Sequence, residues 1–257
     1  MIFRALDHLP IPAIHYYSET DSTNQQALNM ASEGASEYTL FIAENQTKGR
    51  GRLNRRWFAT PGASLAFSLV IHPGPEESQK LGLFSPLAAL AVCRAAELLY
   101  RVHPEIKWPN DVLLAGRKWC GILIESVWQG VQPLAVITGI GINLSPESAP
   151  PDDEVRFPAT CLAEHTTDEI DAPEFLASVL QEILSLRPDM LTSRFHDDYQ
   201  SRLAYQGEPV LLTSANGDTI QGVLAGVDKD GFILLKDQHG LTIACPAGDL
   251  QLRPKKD

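Results

Sequence analysis

Two kinds of hydrophobic patterning follow one another along this chain. Over roughly the first two hundred residues, short apolar runs of strand length alternate with longer stretches of helical period. Residues 38–43 and 62–71 read as buried strands, the second with a small-residue start. Ser85-Pro86 has the form of a helix start with proline in the first turn, and 87–102 follows as a helix apolar on most sides and therefore buried. Residues 105–114 form two short strand pieces around Trp108-Pro109-Asn110-Asp111, a sequence with ordinary turn chemistry. Two further strands are expected at 118–127 and 133–144, the latter interrupted by Gly139 and Gly141. Residues 173–186 are an amphipathic helix, and 189–203 continues helical with Phe195, Tyr199 and Leu203 on one packing face.

After Tyr205-Gln206-Gly207 the period shortens. PVLLTS, DTIQGVLAGV, FILLK and LTIACP are separated by Asn216-Gly217-Asp218, Asp228-Lys229-Asp230-Gly231 and His239-Gly240. Such hairpin signals at about 8–12-residue spacing mark a small antiparallel barrel or sandwich. The fold class is therefore α+β, with a domain boundary near residues 204–208. Near the other end, Asp21-Ser22-Thr23-Asn24 caps a helix over 25–32. A cap uses one short polar side chain; four in a row also suit the wall of a polar site.

Composition narrows the class. The chain has 257 residues, 44 % hydrophobic and 21 % charged, which suits a globular protein of one large and one small domain. No apolar run approaches the roughly 20 residues of a membrane span, and no signal peptide is legible, so a cytoplasmic location is expected. A formal net charge of -11 argues against a general nucleic-acid binder. The four cysteines are widely separated and read as buried, reduced thiols. Cys120 lies two residues from Lys118, but no orienting His or acid stands beside it for thiol catalysis.

Against that acidic background, ENQTKGRGRLNRRW at 44–57 concentrates Lys48, Arg50, Arg52, Arg55 and Arg56. Gly49 and Gly51 allow positive φ or close backbone approach, and each guanidinium offers a planar fork for phosphate or carboxylate. A solvated basic loop is the commoner fate of such clusters. Here the cluster leaves a buried strand and ends in Trp57-Phe58, which favours a loop closing over an anion of about nucleotide size. Lys107, between Ile106 and Trp108, needs a partner if buried, and Asp111 is the candidate. Asn143, at a strand end, has an amide suited to an adenine edge.

Together with ETDSTN at 19–24, KWPNDV at 107–112, RKWCGILIE at 117–125 and GIGIN at 139–143, the basic stretch resembles the biotin protein ligases, the biotin–[acetyl-CoA-carboxylase] ligases, over nearly the whole chain. The resemblance implies a mixed β-sheet catalytic domain packed with helices over 1–206, binding biotin and ATP, followed by a small SH3-like β-barrel over 207–257. It implies that Ser22, Thr23 and Gln46 bind the biotin ureido ring. Arg50 and Arg52 would grip the biotin carboxylate and the phosphates, and Arg55 would face phosphate. Lys118 would stand at the reacting junction, Asn110 and Asn143 would hold adenine, and Trp57 would be structural or a pocket wall. Lys107 and Asp111 fall near the nucleotide or its Mg2+, with Asp111 as the implied metal ligand. Asn54, where the family has glycine, is a residue tolerant of the left-handed turn. With no room before Ser18 for a DNA-binding domain, the ligase-only type is expected. The acceptor would be a biotin carboxyl-carrier protein, with neither DNA nor membrane as partner and a homodimer left open. Residues 146–158, rich in Pro, Ser, Asp and Glu, read as a lid-like loop. Two alternatives stand beside this one: a lipoate or octanoyl ligase, and a biotin-sensing regulator that binds the adenylate without transferring it.

Overall fold

The computed structural model describes residues 2–149, 157–214, 216–247 and 251–255. After a short helix α1 (Ile2–Leu6), strand β1 (Ile14–Thr20), helix α2 (Thr23–Ser32) and strand β2 (Leu40–Gln46) make a parallel crossover in which Ile14 pairs with Leu40 and Thr20 with Gln46. Neither α1 nor β1 was anticipated, because IHYYSET exposes alternate residues to solvent and presents no apolar run. Strand β3 (Ser64–Ile71) is buried at every position, which explains its unbroken apolar sequence. Then come helix α3 (Phe84–Tyr100) and strands β4 (Glu105–Lys107), β5 (Asp111–Leu114), β6 (Arg117–Gln129) and β7 (Gln132–Asn143). The seven strands are ordered β1-β2-β3-β7-β6-β5-β4, a mixed sheet antiparallel everywhere except at β1–β2.

This sheet has two covered faces. The larger core forms where α3 and helix α4 (Ala172–Leu186) pack with Phe67, Ile140 and Ile142, and it includes the fully buried Trp119 and Phe175. The smaller core lies under α2, where Ala27 and Ala31 meet Phe41, Val70 and Ile137. The segment Leu81–Tyr100, interrupted by Arg94 and Glu97, is long and apolar enough on average to cross a membrane, yet 67 % of its most apolar 18-residue window is buried inside the fold, as in a core helix. The helix expected over 189–203 is shorter. Thr192 caps helix α5 (Ser193–Ser201) by accepting from Phe195 N, so the chain breaks at the cap instead of continuing from α4.

The tail forms a second sheet from β8 (Pro209–Thr213), β9 (Thr219–Val227), β10 (Ile233–Lys236), β11 (Thr242–Cys245) and β12 (Gln251–Pro254), ordered β11-β10-β9-β8-β12 and antiparallel throughout. Its turns carry Gly217, Gly231 and Gly240 at positive φ, as the hairpin signals required. The arrangement is compatible with an SH3-like barrel, although β11 and β12 make no hydrogen-bonded closure among the described residues. Its inner residues Val210, Leu224, Ile233 and Leu252 are continuous with the main core, and Trp108 Nε1 donates to Gly231 O at 3.0 Å. The loop expected over 146–158 begins as a short 3-10 turn (Pro146–Ser148), and its centre, 150–156, lies outside the described residues.

Leu90 and Leu98 share helix α3 but are 0 % and 71 % exposed. Leu90→Ala should therefore destabilise the protein by about 2–5 kcal/mol, whereas Leu98→Ala should stay within about 0.5 kcal/mol of the parent. Urea unfolding of both variants checks this, and equal midpoint shifts would contradict the placement of α3 in the core.

Candidate active site

The basic stretch is a hairpin pinned at both ends. As it leaves β2, Thr47 N donates to Thr20 O and Lys48 N to Asp21 O, each at 2.9 Å. The chain then reverses: Gly51 N donates to Arg55 O at 2.7 Å, Trp57 N to Gly49 O at 2.9 Å, and Arg50 bridges Arg56 antiparallel. The reversal is a 3-10 turn at Arg52–Asn54 whose left-handed residue is Leu53 (φ 57°), not Asn54. Positive φ is not what the loop glycines supply either. Gly51 is extended (φ −118°), and Gly49 is required by close approach, since a Cβ there would sit 2.5 Å from Trp57 O.

Trp57 then drops onto bare backbone. A Cβ at Gly141 would lie 2.3 Å from the indole and one at Gly121 3.0 Å from it. At Gly139 the same added carbon would meet Asn24 Oδ1 at 2.0 Å. The glycines of β7 thus accommodate two side chains of this protein, Asn24 and Trp57, which lie across the sheet.

All twelve side chains implied by the resemblance, Trp57 and Lys107 included, line one cavity of about 670 Å³, although they come from five separate segments. At one end are Ser22 and Thr23, each 4 % exposed, with Gln46. Ser22 occupies the cap position of α2 but makes no side-chain cap bond, and Asp21 accepts from Ser22 N instead. Thr23 N donates to Gln46 Oε1 at 2.8 Å. In the middle, Arg50 donates to Glu125 Oε2 at 3.0 Å while its buried Nε has no hydrogen-bond partner among the described residues. Arg52 donates to Asn110 Oδ1 at 3.3 Å and to Ala247 O at 3.1 Å, tying the hairpin to the second sheet. At the far end Asn110 donates to Ile122 O and Asn143 to Thr160 O, leaving Asn143 Oδ1 buried with no hydrogen-bond partner among the described residues.

Asp111 is an ion-pair hub. Its Oδ1 is 2.6 Å from Lys118 Nζ and its Oδ2 is 3.6 Å from Lys107 Nζ. Burial by itself would raise the Asp111 carboxyl, but the ammonium groups of Lys118 and then Lys107 outweigh it and hold the pKa below the usual value. The Lys107 pKa is lowered too, but chiefly by burial, which disfavours its charged form. Its ammonium also stands 4.2 Å from the centre of the Phe157 ring. Magnesium, implied by the resemblance, finds no protein-built cage: no group of three His, Cys, Asp or Glu side chains converges among the described residues. Magnesium is commonly held by one or two carboxylates together with substrate phosphates and waters, and Asp111 supplies a carboxylate to this cavity with two ammonium groups beside it. Cys120 is fully buried, and burial drives its thiol pKa up, as its expected inertness requires.

Three residues carry contacts here that the sequence pattern does not assign individually: Glu125 is the end of a motif, Phe157 falls in the segment expected to be a lid-like loop, and Arg253 lies in a segment with no local pattern, while Asn24 belongs to the polar cluster already expected to suit a site wall. Phe157 and Arg253 both line the cavity, with Arg253 5.9 Å from the centre of the Phe157 ring.

Comparison with known proteins fits this geometry. Residues 16–143 match the biotin/lipoate A/B protein ligase family and 205–253 the biotin protein ligase C-terminal domain. The chain is 32 % identical over 245 residues to the biotin–[acetyl-CoA-carboxylase] ligase of Paracoccus denitrificans, covering 91 % of this chain and 98 % of that protein. It is 33 % identical over 229 residues to the bifunctional ligase/repressor BirA of Bacillus spizizenii, covering 88 % of this chain and 70 % of that one. The solved biotin protein ligase of Aquifex aeolicus, in complex with biotin and ATP, superimposes with a TM-score of 0.81 at 31 % identity, covering 95 % of this chain and 100 % of the other. The chain belongs to the biotin/lipoate A/B protein ligase family.

Within this family chain, two consequences follow from the seat of the basic hairpin and from Asp111. Gly141→Ala should expel Trp57 from the sheet and open the hairpin, so trypsin should cut at Arg50–Arg56 at least about tenfold faster; an unchanged cleavage rate would remove Trp57 as the anchor. For Asp111 the folded pKa is depressed, so its stabilisation is fully present above the unfolded value of about 3.9 and is lost as pH falls through the lower folded value. Urea midpoints of Asp111→Asn should therefore fall less steeply than wild type as pH drops below about 4. Parallel pH profiles would contradict the ion-pair assignment.

Proposed function

We propose that this protein is an ATP-dependent biotin protein ligase. It activates biotin as biotinyl-5'-AMP and transfers the biotinyl group to a lysine of the biotin carboxyl-carrier protein of acetyl-CoA carboxylase. The observation that carries this reading is the convergence of Ser22, Thr23, Gln46, Arg50, Arg52, Arg55, Asn110, Asp111, Lys118 and Asn143 on one cavity. The names of the relatives support it, and so does the order of chemistry along the cavity: a hydroxyl and amide end, a cationic middle and an amide end.

In the first step the biotin carboxylate attacks the α-phosphate of ATP, forming the mixed anhydride and releasing pyrophosphate. Both reactants are anionic, so bringing them together is a large part of the barrier. Arg50, Arg52, Arg55 and Lys118 neutralise the charge and hold the groups in line. The unpartnered Arg50 Nε and the Asn143 Oδ1 acceptor are buried polar groups that a carboxylate or phosphate and an adenine amino group would satisfy. In the second step the acceptor amine attacks the anhydride carbonyl and AMP leaves, with Lys118 stabilising the oxyanion. No side chain acts as nucleophile, and the hairpin keeps water from the anhydride until the acceptor arrives.

The polar end at Thr23 and Gln46 favours a ureido ring over the plain acyl tail of a lipoate or octanoyl ligase. The reading brings with it a cytoplasmic enzyme, a catalytic domain over 1–206 and a C-terminal domain over 207–257.

Biotin-dependent exchange of pyrophosphate into ATP, followed by label transfer to a carrier domain with lipoate as the control acid, tests the proposal. Lys118→Ala should reduce exchange by at least about 100-fold without loss of the folded state. Arg50→Ala should weaken biotin binding and increase release of free adenylate. No exchange with biotin in the wild-type protein, or exchange with lipoate alone, would overturn the assignment.

A further inference from the structure

Behind the side chains that line the polar end of the cavity stand Ser68 and Glu125, and counting protons along the hydrogen bonds between them fixes what each can do. Asn24, 4 % exposed, donates its amide N–H groups to Glu125 Oε2 at 2.9 Å and to Leu123 O at 3.2 Å. Both partners are acceptors only, so the amide cannot be turned around and its Oδ1 must face the other way. There it meets Ser68 Oγ at 2.6 Å, and Ser68 is 0 % exposed. An amide oxygen only accepts, so the single Ser68 proton goes to Asn24.

The next neighbour along is Thr23 Oγ1, 2.7 Å from Ser68 Oγ. With the Ser68 proton already committed, Thr23 must be the donor in that contact. Its other internal acceptor, Gln46 Oε1, is farther away at 3.2 Å. Along either path the Thr23 proton stays inside the protein, and only lone pairs are left for the cavity. Gln46 is fixed in the opposite sense. Its Oε1 accepts from Thr23 N at 2.8 Å, so its NH2, which makes no hydrogen bond among the described residues, is a donor.

We propose that Asn24 and Ser68 are specificity-determining positioning residues: by consuming the Thr23 hydroxyl proton they make Thr23 an obligate acceptor beside the Gln46 donor. The cavity then selects an acid whose ring carries adjacent N–H and C=O groups over an isostere with oxygen in place of the N–H. This inference rests on the biotin reading and deepens it. A hydroxyl free to rotate would accept either ring. One whose proton is spoken for places two oxygens with facing lone pairs and leaves the isostere unpaired.

Calorimetric titration of the full-length protein with biotin and with the two cyclic carbamate analogues, in which one or the other ring N–H is oxygen, tests it. Wild type is expected to bind at least one carbamate about 100-fold more weakly than biotin. Ser68→Ala removes the nearer acceptor and leaves the Thr23 proton only the longer contact to Gln46 Oε1 at 3.2 Å, so the hydroxyl gains freedom to turn toward the cavity and the ratio of the two affinities should shrink by about tenfold or more. Thr23→Val should lower biotin affinity toward that of the carbamate, and Thr23→Ser, which restores the hydroxyl, should recover the discrimination. Thermal melting establishes that each variant folds. Should Ser68→Ala fail to fold, Ser68→Cys, whose S–H is a weak donor, reads the same ratio and should also lower it. A wild-type protein that binds biotin but tolerates both carbamates equally, or a folded Ser68 variant with the wild-type ratio, would overturn the inference. Failure of the wild type to bind biotin at all would instead overturn the functional reading beneath it.

Discussion

Trp57 can lie against the sheet only because Gly121 and Gly141 present bare backbone beneath it. That contact holds down a hairpin whose five cations repel one another. Magnitudes decide which tether matters most. The Arg50–Glu125 ion pair is partly exposed, with side chains 36 % and 26 % accessible, and pairs of that kind contribute about 0–1 kcal/mol. Covering even part of an indole contributes on the order of 2 kcal/mol. Packing therefore seats the hairpin, and the charges are left available for chemistry.

The rest of the fold serves that seat. The parallel crossover β1–α2–β2 delivers Ser22, Thr23 and Gln46 to one end of the cavity. The antiparallel β5–β6–β7 run delivers Asp111, Lys118 and Asn143 to its middle and far end, and fixes Lys118 against Asp111 at 2.6 Å. A carboxylate at the hub keeps two neighbouring ammonium groups from repelling each other. The second sheet reaches back through Ala247 O to Arg52 and through Arg253 into the cavity wall, so both sheets contribute to one site.

Much of this was legible along the chain. β3 and α3 carried strong patterns because both are buried on nearly every side, and the five motif segments are contiguous. What was illegible depends on partners remote in sequence. β1 is covered on one side only, so its alternation looked like a polar lead. The loop glycines allow either positive φ or close approach; Gly49 uses the second, beside Trp57 O, and the left-handed position falls on Leu53. The ion pair between Asp111 and Lys118, seven residues on, depends on the two strands folding side by side and is not visible in the local pattern. Ser68 is one apolar-strand residue among eight, and nothing local reveals that it holds the proton of a hydroxyl on another element.

A cationic cover over residues 47–57 should tighten when its anionic ligands bind. Amide hydrogen exchange across that segment, with the protein free and then saturated with biotin and ATP, measures this most directly. The account predicts that exchange at 47–57 slows markedly when both ligands are present, while the second sheet away from Ala247 changes little. Exchange in the hairpin that is the same with and without ligands would contradict it.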